Sequence, residues 1–130
     1  MLTAGEIMTE KLITVRPEAS VEEAIELLLE GNISGLPVVD SEGRLKGIIT
    51  EFALLELTYD RRMKSESVAK YMTLDVITAD VNDSISRVTD LCLAHRVRRL
   101  PVLKEGRLVG IIARRDVLRA LLGIPAECVA

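Results

Sequence analysis

A heptapeptide that occurs twice constrains the fold of this chain more than any other feature. The copies are residues 43–49 (GRLKGII) and 106–112 (GRLVGII), which match at six of seven positions. A Leu-Pro-Val triplet precedes each copy, and a Met-Thr pair precedes each triplet. Equivalent Met-Thr positions are 64 residues apart and equivalent glycines 63 apart, so the second hairpin lacks one residue. Self-similarity at this period predicts two copies of one supersecondary unit.

Composition limits the classes of protein to which the chain can belong. Of its 130 residues 48% are hydrophobic but only 2% are aromatic, so Leu, Ile, Val and Ala must supply the core. The net charge of −3 argues against general nucleic-acid binding, which needs a basic surface. The first eight residues lack the apolar run of a signal peptide, and no apolar segment is long enough to span a membrane. We therefore expect a cytoplasmic protein that binds neither nucleic acid nor membranes.

Hydrophobic periodicity and turn residues predict the same order of elements in both halves: strand, helix, two strands of a hairpin, helix. In the first half these are residues 12–15, 20–31, 35–39 with 45–49, and 50–59. In the second half they are residues 76–79, a helix from 83 or 84 to 95, 100–103 with 108–112, and 114–122. The polar run 60–67 is predicted to be a linker, and residues 68–72 a short helix.

This order predicts an α/β (α+β) fold of two pseudo-twofold-related β-α-β-β-α repeats that pack through their sheets. Ser20 with Glu23 is typical of a capping box at a helix start. Gly43 is placed for the positive φ of a hairpin turn. Pro37 and Pro101 are expected at strand starts or edges, where a missing N–H does no harm.

Taken in order, the Met-Thr pairs, the Leu-Pro-Val strands and the Gly-Ile-Ile strands leading into helices resemble a tandem pair from the CBS domain family. The resemblance covers roughly residues 8 to 121, with one CBS motif at 8–66 and the other at 72–122. It implies a regulatory module that binds an adenine nucleotide (AMP, ADP or ATP) or S-adenosylmethionine in clefts between the repeats. It also implies that two such modules commonly dimerise into a flat disc.

In the family, the third strand ends in Gly-x-x-Thr/Ser-x-x-Asp, and the resemblance implies that the Asp takes the ribose hydroxyls. That role suits a carboxylate, which can accept two hydroxyl hydrogen bonds, while the helix N-terminus beneath it favours phosphate. The first half keeps the hydroxyl at Thr50 but has Ala53 in the Asp position. The second keeps Asp116 but has Ala113 in the hydroxyl position. We therefore expect two unequal clefts.

The resemblance assigns residues of both halves to each cleft. The first cleft would combine Thr50, Asp75, Val76, Ile77, Arg96, Arg98, Arg99 and Pro101. The second would combine Asp116, Arg114 or Arg115, Lys11, Leu12, Ile13, Ser34, Gly35 and Pro37. We favour the second cleft for an adenosine-type ligand and the arginine-rich first cleft for a polyphosphate.

Several of these residues also have a simpler interpretation. Asp116 could serve only to favour its helix dipole, and Thr50 could be only an N-cap. The arginines could form an ordinary solvated edge.

The leading functional hypothesis is a stand-alone, non-catalytic sensor that signals to a partner protein. The sequence contains no nucleophile–base pair, paired catalytic carboxylates or metal-ligand cluster, so neither an enzyme nor a cofactor is expected. The alternative is a structural dimerisation module without a ligand, which Ala53 and Ala113 favour. A homodimer is expected because the second helix of each repeat has an apolar face, formed by Leu54, Leu55 and Leu57 and by Val117, Leu118 and Leu121.

Overall fold

The computed structural model describes residues 2–124, which its internal contacts divide into two units. Unit 1 is the described part of Met1–Leu12 together with that of Ile77–Ala130, and unit 2 is Ile13–Val76. The segment before each repeat therefore packs with the hairpin of the other repeat. Among residues 2–124, no helix is both long and apolar enough to cross a membrane.

The described chain contains five α-helices and five strands. In order they are α1 (Ala4–Ile7), α2 (Val21–Gly31), β1 (Gly35–Val39), β2 (Leu45–Thr50), α3 (Glu51–Leu54), β3 (Ala79–Asp80), α4 (Ile85–His95), β4 (Arg99–Lys104), β5 (Arg107–Ala113) and α5 (Arg114–Leu121). Short 3-10 helices span Leu55–Thr58, Arg61–Ser65 and Val68–Lys70. The α/β fold class is confirmed.

Both longer helices begin and end with matching local chemistry. The hydroxyl oxygen of Ser20 accepts a hydrogen bond from the Glu23 N–H at the start of α2, and Ser84 does the same for Arg87 at the start of α4. Asn32 and Arg96 end these helices in the left-handed conformation, with φ of 50° and 51°. The two repeats therefore have equivalent helix boundaries as well as equivalent hairpins.

The two hairpins differ in their turns. In unit 2, β1 and β2 pair antiparallel, and the carboxylate of Asp40 accepts hydrogen bonds from the N–H groups of Glu42 (2.9 Å) and Arg44 (3.0 Å). In unit 1, β4 and β5 are joined by Glu105 and Gly106 alone, with φ of 53° and 81°. Positive φ at both residues is the type I′ geometry that fits a two-residue hairpin, which accounts for the missing residue.

Each unit has its own cluster of buried aliphatic side chains. In unit 2 the sheet contributes Leu36, Val38 and Ile49, and α2 contributes its buried face. In unit 1 the equivalent positions are Leu100, Val102 and Ile112. The equivalence follows from the period of two in a strand, which turns alternate residues of each hairpin toward its helices.

Several predicted boundaries are wrong. Of the predicted strand 12–15 only Val15 pairs, through one bridge to Val38, and the predicted strand 76–79 is displaced to Ala79–Asp80. The predicted helix 50–59 is α-helical only to Leu54 and then tightens to a 3-10 helix. The predicted linker 60–67 also contains a 3-10 helix, because Met63 is buried in the core of unit 2.

Candidate functional site

The repeated Met-Thr pair lies across the repeated Gly-Ile-Ile strand. In unit 1 the N–H of Thr9 donates to the carbonyl oxygen of Ile111 (2.8 Å), and the N–H of Ile111 donates back to Thr9 (3.0 Å). In unit 2 Thr73 and Ile48 exchange the same two bonds, at 2.8 and 2.9 Å. Each hairpin therefore gains an extra pairing from the segment that precedes the other repeat.

The repeated glycines make this approach possible. A Cβ on Gly47 would lie 2.6 Å from the backbone oxygen of Thr73, and one on Gly110 would collide with the Met8 side chain. A glycine before Ile-Ile is therefore required by close packing, without any ligand.

Neither strand proline lies at a strand start. Pro37 lies in β1, an edge strand of the two-stranded sheet, as the edge alternative predicted. Pro101 lies in β4, the middle strand of its sheet, which corrects the prediction for that residue. Pro37 faces Ile48 and Pro101 faces Ile111. Because the amide groups of these isoleucines are directed to Thr73 and Thr9, the proline pairs are of the non-hydrogen-bonded kind. A missing N–H therefore costs no hydrogen bond to the facing strand of the hairpin.

The hairpin of unit 2 ends at Thr50, where α3 begins. Its hydroxyl oxygen accepts a hydrogen bond from the N–H of Ala53 at 3.3 Å. Gly35 pairs with Thr50 across the hairpin, and the Glu51 N–H donates to the carbonyl oxygen of Ser34 at 2.9 Å. Thr50 is therefore the N-cap of α3, and its contact with a ligand stays a prediction.

The hairpin of unit 1 ends at Ala113, and Asp116 takes over the capping role. One oxygen of the Asp116 carboxylate accepts the Ala113 N–H at 2.7 Å, and the other lies 3.2 Å from Nη1 of Arg119. The side chain is only 4% exposed. A carboxylate has about four acceptor positions, so these two contacts leave capacity for further donors. Contact with a ribose stays a prediction.

The basic residues assigned to the clefts lie mostly at the surface. Lys11, Arg98 and Arg115 are exposed, whereas Arg99 is partly buried and pairs with Ala113 across the hairpin. Arg114 donates from Nε to the carbonyl oxygen of Val97 and from Nη2 to that of Arg96, both at 3.1 Å. Arg114 thereby holds the turn between α4 and β4 against the start of α5.

The remaining predicted site residues contribute mainly backbone and apolar surface. In unit 1, Leu12 and Ile77 are partly buried, and Pro101 is buried. In unit 2, Ile13 is exposed, Gly35 and Val76 are partly buried, and Pro37 is buried. Both predicted clefts draw on residues of both units, and their assembly stays a prediction.

A cluster around Glu66 secures the segment that carries Met72 and Thr73. Hydrogen bonds from the Lys70 ammonium and then from the Tyr71 hydroxyl hold the pKa of Glu66 below its ordinary value of 4.5. The carbonyl oxygen of Glu66 also accepts the Val21 N–H at 2.9 Å. The carboxylate of Glu66 therefore holds Lys70 and Tyr71, and its backbone carbonyl ties this segment to the start of α2.

Sequence reasoning missed two features of this region. The pairing of each Met-Thr segment with the other repeat's hairpin was not anticipated, because the equal 64-residue spacing of the Met-Thr and Leu-Pro-Val motifs shows that they repeat but not which copies pair. The ion pair of Asp116 with Arg119 was also missed, and its signal is the three-residue spacing on one helix face. Within residues 2–124, no three His, Cys, Asp or Glu side chains are grouped to hold a metal ion.

Comparison with known proteins places this geometry in a family. The chain is 39% identical over 116 residues to the protein MJ1225 of Methanocaldococcus jannaschii, which covers 89% of this chain and 41% of that relative. Its fold matches CBSX2 of Arabidopsis thaliana, solved in complex with AMP, with a TM-score of 0.84, 33% identity and coverage of 95% and 98% of the two chains.

A second solved structure is the CBS domain pair of MJ0100 in complex with 5′-methylthioadenosine and S-adenosyl-L-methionine. It matches with a TM-score of 0.78, 28% identity and coverage of 95% and 98% of the two chains. The sequence profile of the CBS domain matches this chain twice, at residues 4–60 and 68–123. The chain therefore belongs to the CBS domain family, as a tandem pair of CBS domains.

Proposed function

We propose that this chain is a non-catalytic regulatory module that binds an adenine nucleotide or an adenosyl compound and signals to a partner protein. The observation that carries the proposal is its likeness, over nearly the whole chain, to two CBS pairs that were solved with AMP and with S-adenosylmethionine. Binding would act by favouring one arrangement of the two units or of two subunits. A cytoplasmic location remains part of the proposal.

The chemistry of the two strand-to-helix junctions supports unequal sites. The junction of unit 1 offers the Asp116 carboxylate, which has acceptor capacity left for ribose hydroxyls. The junction of unit 2 offers only the Thr50 hydroxyl, whose oxygen already caps α3. We therefore assign the adenosine group to Asp116, with Lys11 and Arg115, which the family resemblance places in the same cleft, as candidates for phosphate contact.

The cleft around Arg98 and Arg99 is the candidate for a polyphosphate. Arg98 is exposed, and Arg99 lies beside Ala113 at the end of the same hairpin. Planar guanidinium groups suit bidentate contact with phosphate oxygens. A ligand such as ATP would therefore depend more on these arginines than AMP does.

A second candidate function is a structural dimerisation module without a ligand. One specific observation favours it: both Asp116 oxygens already have protein partners, and the side chain is almost fully buried. In that case the carboxylate would serve only to start α5 and to pair with Arg119. The two candidates differ in whether any nucleotide stabilises the fold.

We also propose that the chain forms a homodimer through its helices. Leu55 and Leu118, at equivalent positions just after each strand-to-helix junction, are each 60% exposed. Contiguous exposed apolar side chains mark protein interaction surfaces. A partner protein that reads the ligand state would bind the dimer.

Thermal unfolding of nucleotide-stripped protein with AMP, ADP, ATP and S-adenosylmethionine tests the proposal. A ligand at 100 times its Kd adds about 2.7 kcal/mol, a Tm shift of several degrees for a domain of this size. Asp116→Asn, compared with its own ligand-free Tm, should lose the shift, and Arg98→Ala is the matched control for AMP. A shift that survives Asp116→Asn but not Arg98→Ala moves the site to the arginine cleft. No shift with any ligand favours the structural module.

A further inference from the structure

The methionine of each Met-Thr pair covers a glycine of the hairpin on which it packs. The Sδ atom of Met72 lies 3.0 Å from the position that a Cβ on Gly47 would take. The Met8 side chain covers Gly110 in the same way, with its Sδ atom nearest. In both units a thioether therefore fills the space that a side chain on the strand would occupy.

The two methionines differ in their access to solvent. Met8 is 8% exposed and belongs to the buried core of unit 1. Met72 is only partly buried and packs against the core of unit 2 from its margin. The third methionine of residues 2–124, Met63, is 4% exposed. Within that range, Met72 is therefore the methionine that a small dissolved oxidant reaches most readily in the folded chain.

Oxidation of a thioether changes its polarity and needs no neighbouring base. Hydrogen peroxide transfers one oxygen atom to the sulfur: the O–O bond breaks, an S–O bond forms and water leaves, so the sulfur is oxidised and the peroxide is reduced. The product is a sulfoxide, which is polar where the thioether was apolar. A polar group costs free energy in an apolar contact unless it is hydrogen-bonded. A sulfoxide at Met72 should therefore leave Gly47 for solvent.

We propose that Met72 is a modification site, oxidised to the sulfoxide by hydrogen peroxide, and that its oxidation loosens the Met-Thr segment from the hairpin of unit 2. The backbone pairing of this segment with the hairpin is short, because Thr73 and Ile48 exchange only two hydrogen bonds. The Met72 thioether packs beside those bonds, so its loss exposes them to water. Methionine sulfoxide reductases reverse the oxidation. The modification needs no nucleotide and is independent of the ligand proposed above.

Peptide mapping after graded exposure to hydrogen peroxide tests the site. Trypsin cleaves after lysine and arginine, and Met72 is the only methionine of the resulting peptide 71–87. Cleavage after glutamate gives peptide 57–66, in which Met63 is the only methionine, and fragment ions separate Met8 from Met1. Because oxidation follows exposure, we expect Met72 to be oxidised at least about tenfold faster than Met8 or Met63.

Native-state hydrogen exchange tests the consequence. In protein oxidised at Met72, the amides of Ile48 and Thr73 should exchange about tenfold faster, because both are donors of the loosened pairing. The amides of Thr9 and Ile111, the equivalent donors of unit 1, should be unchanged. Treatment with a methionine sulfoxide reductase should restore slow exchange.

Two leucine variants separate Met72 from the other methionines. Met72→Leu keeps an apolar side chain of similar volume, so its exchange without peroxide should be close to that of the original chain. Peroxide should then leave the exchange of Ile48 and Thr73 unchanged. Met8→Leu is the matched control at the equivalent position of unit 1, and it should respond to peroxide as the original chain does.

Three results would overturn the inference. If Met8 or Met63 is oxidised as fast as Met72, exposure in the folded chain does not select the site. If Met72 sulfoxide forms but Ile48 and Thr73 exchange at the original rate, the pairing does not depend on the thioether. A peroxide response that persists in Met72→Leu assigns the effect to another residue. All three are measured without nucleotide, so they are distinguishable from failure of the ligand proposal.

Discussion

Each unit contains its own hairpin, paired with the Met-Thr segment that precedes the other repeat. The two units differ at the point where the hairpin passes into a helix. In unit 2 a hydroxyl, Thr50, caps a short helix that soon tightens into a 3-10 turn. In unit 1 a carboxylate, Asp116, caps a longer helix and pairs with Arg119. The comparison teaches that strand pairing and core positions preserve the repeat, while the junction residues differ in charge and in chemistry.

The largest expected difference concerns the two repeated glycines. Gly47→Ala should destabilise the chain by about 3 kcal/mol, because its Cβ would meet the backbone oxygen of Thr73, which cannot move without breaking the pairing with Ile48. Gly110→Ala should cost about 1 to 2 kcal/mol, because the Met8 side chain can change rotamer. Urea unfolding of both variants measures the difference. Equal losses would show that the exchanged pairing is equally tight in both units.

The two helix caps should give the next largest difference. Asp116→Ala removes a charged acceptor from the Ala113 N–H and from Arg119, and should cost about 2 kcal/mol. Thr50→Ala removes one neutral cap and should cost about 1 kcal/mol. Thermal unfolding without ligand measures both, with Asp116→Asn as an isosteric control. A cost for Asp116→Ala no greater than that for Thr50→Ala would contradict the structural role assigned to the carboxylate.

The smallest predicted effect is on the acid stability of unit 2. The Lys70 hydrogen bond lowers the pKa of Glu66 in the folded chain, so its stabilising contribution is complete above the ordinary value of 4.5. The contribution is lost as the pH falls through the lower, folded pKa, because protonation then removes the charge that the fold favours. Glu66→Gln should flatten the dependence of unfolding free energy on pH below 4.5. An unchanged slope would show that the contact does not persist in solution.

Much of the fold could be predicted because both repeats have the same helix-capping and turn residues at equivalent positions. Ser20 and Ser84 mark the starts of the two longer helices, and Gly43 and Gly106 mark the turns of the hairpins. The first strand of each repeat was placed poorly, because a single bridge at Val15 needs a partner that only the tertiary fold supplies. The burial of Met63 was missed for the same reason. Its sequence neighbours are polar, so only the tertiary fold shows that this one apolar side chain packs in the core.

The candidate site was less predictable than the fold. Thr50 and Asp116 were identified from motif spacing, but their partners Ala53, Ala113 and Arg119 follow from helix geometry. The opposite charges of Glu51 and Arg114 become visible only when the two helices are compared position by position. Motif spacing identifies the residues that could bind a ligand. Whether their polar atoms are available to a ligand depends on the hydrogen bonds that those atoms already make in the fold.

Calorimetric titration of nucleotide-stripped protein with AMP tests the central claim, that two structurally equivalent repeats are chemically unequal. We expect one binding event per chain, weakened at least about tenfold in Asp116→Asn, which corresponds to roughly 1.4 kcal/mol. Thr50→Val, in the other junction, is the matched control and should leave the Kd unchanged. Two sites of equal affinity per chain would contradict the claim, as would the absence of binding at millimolar AMP.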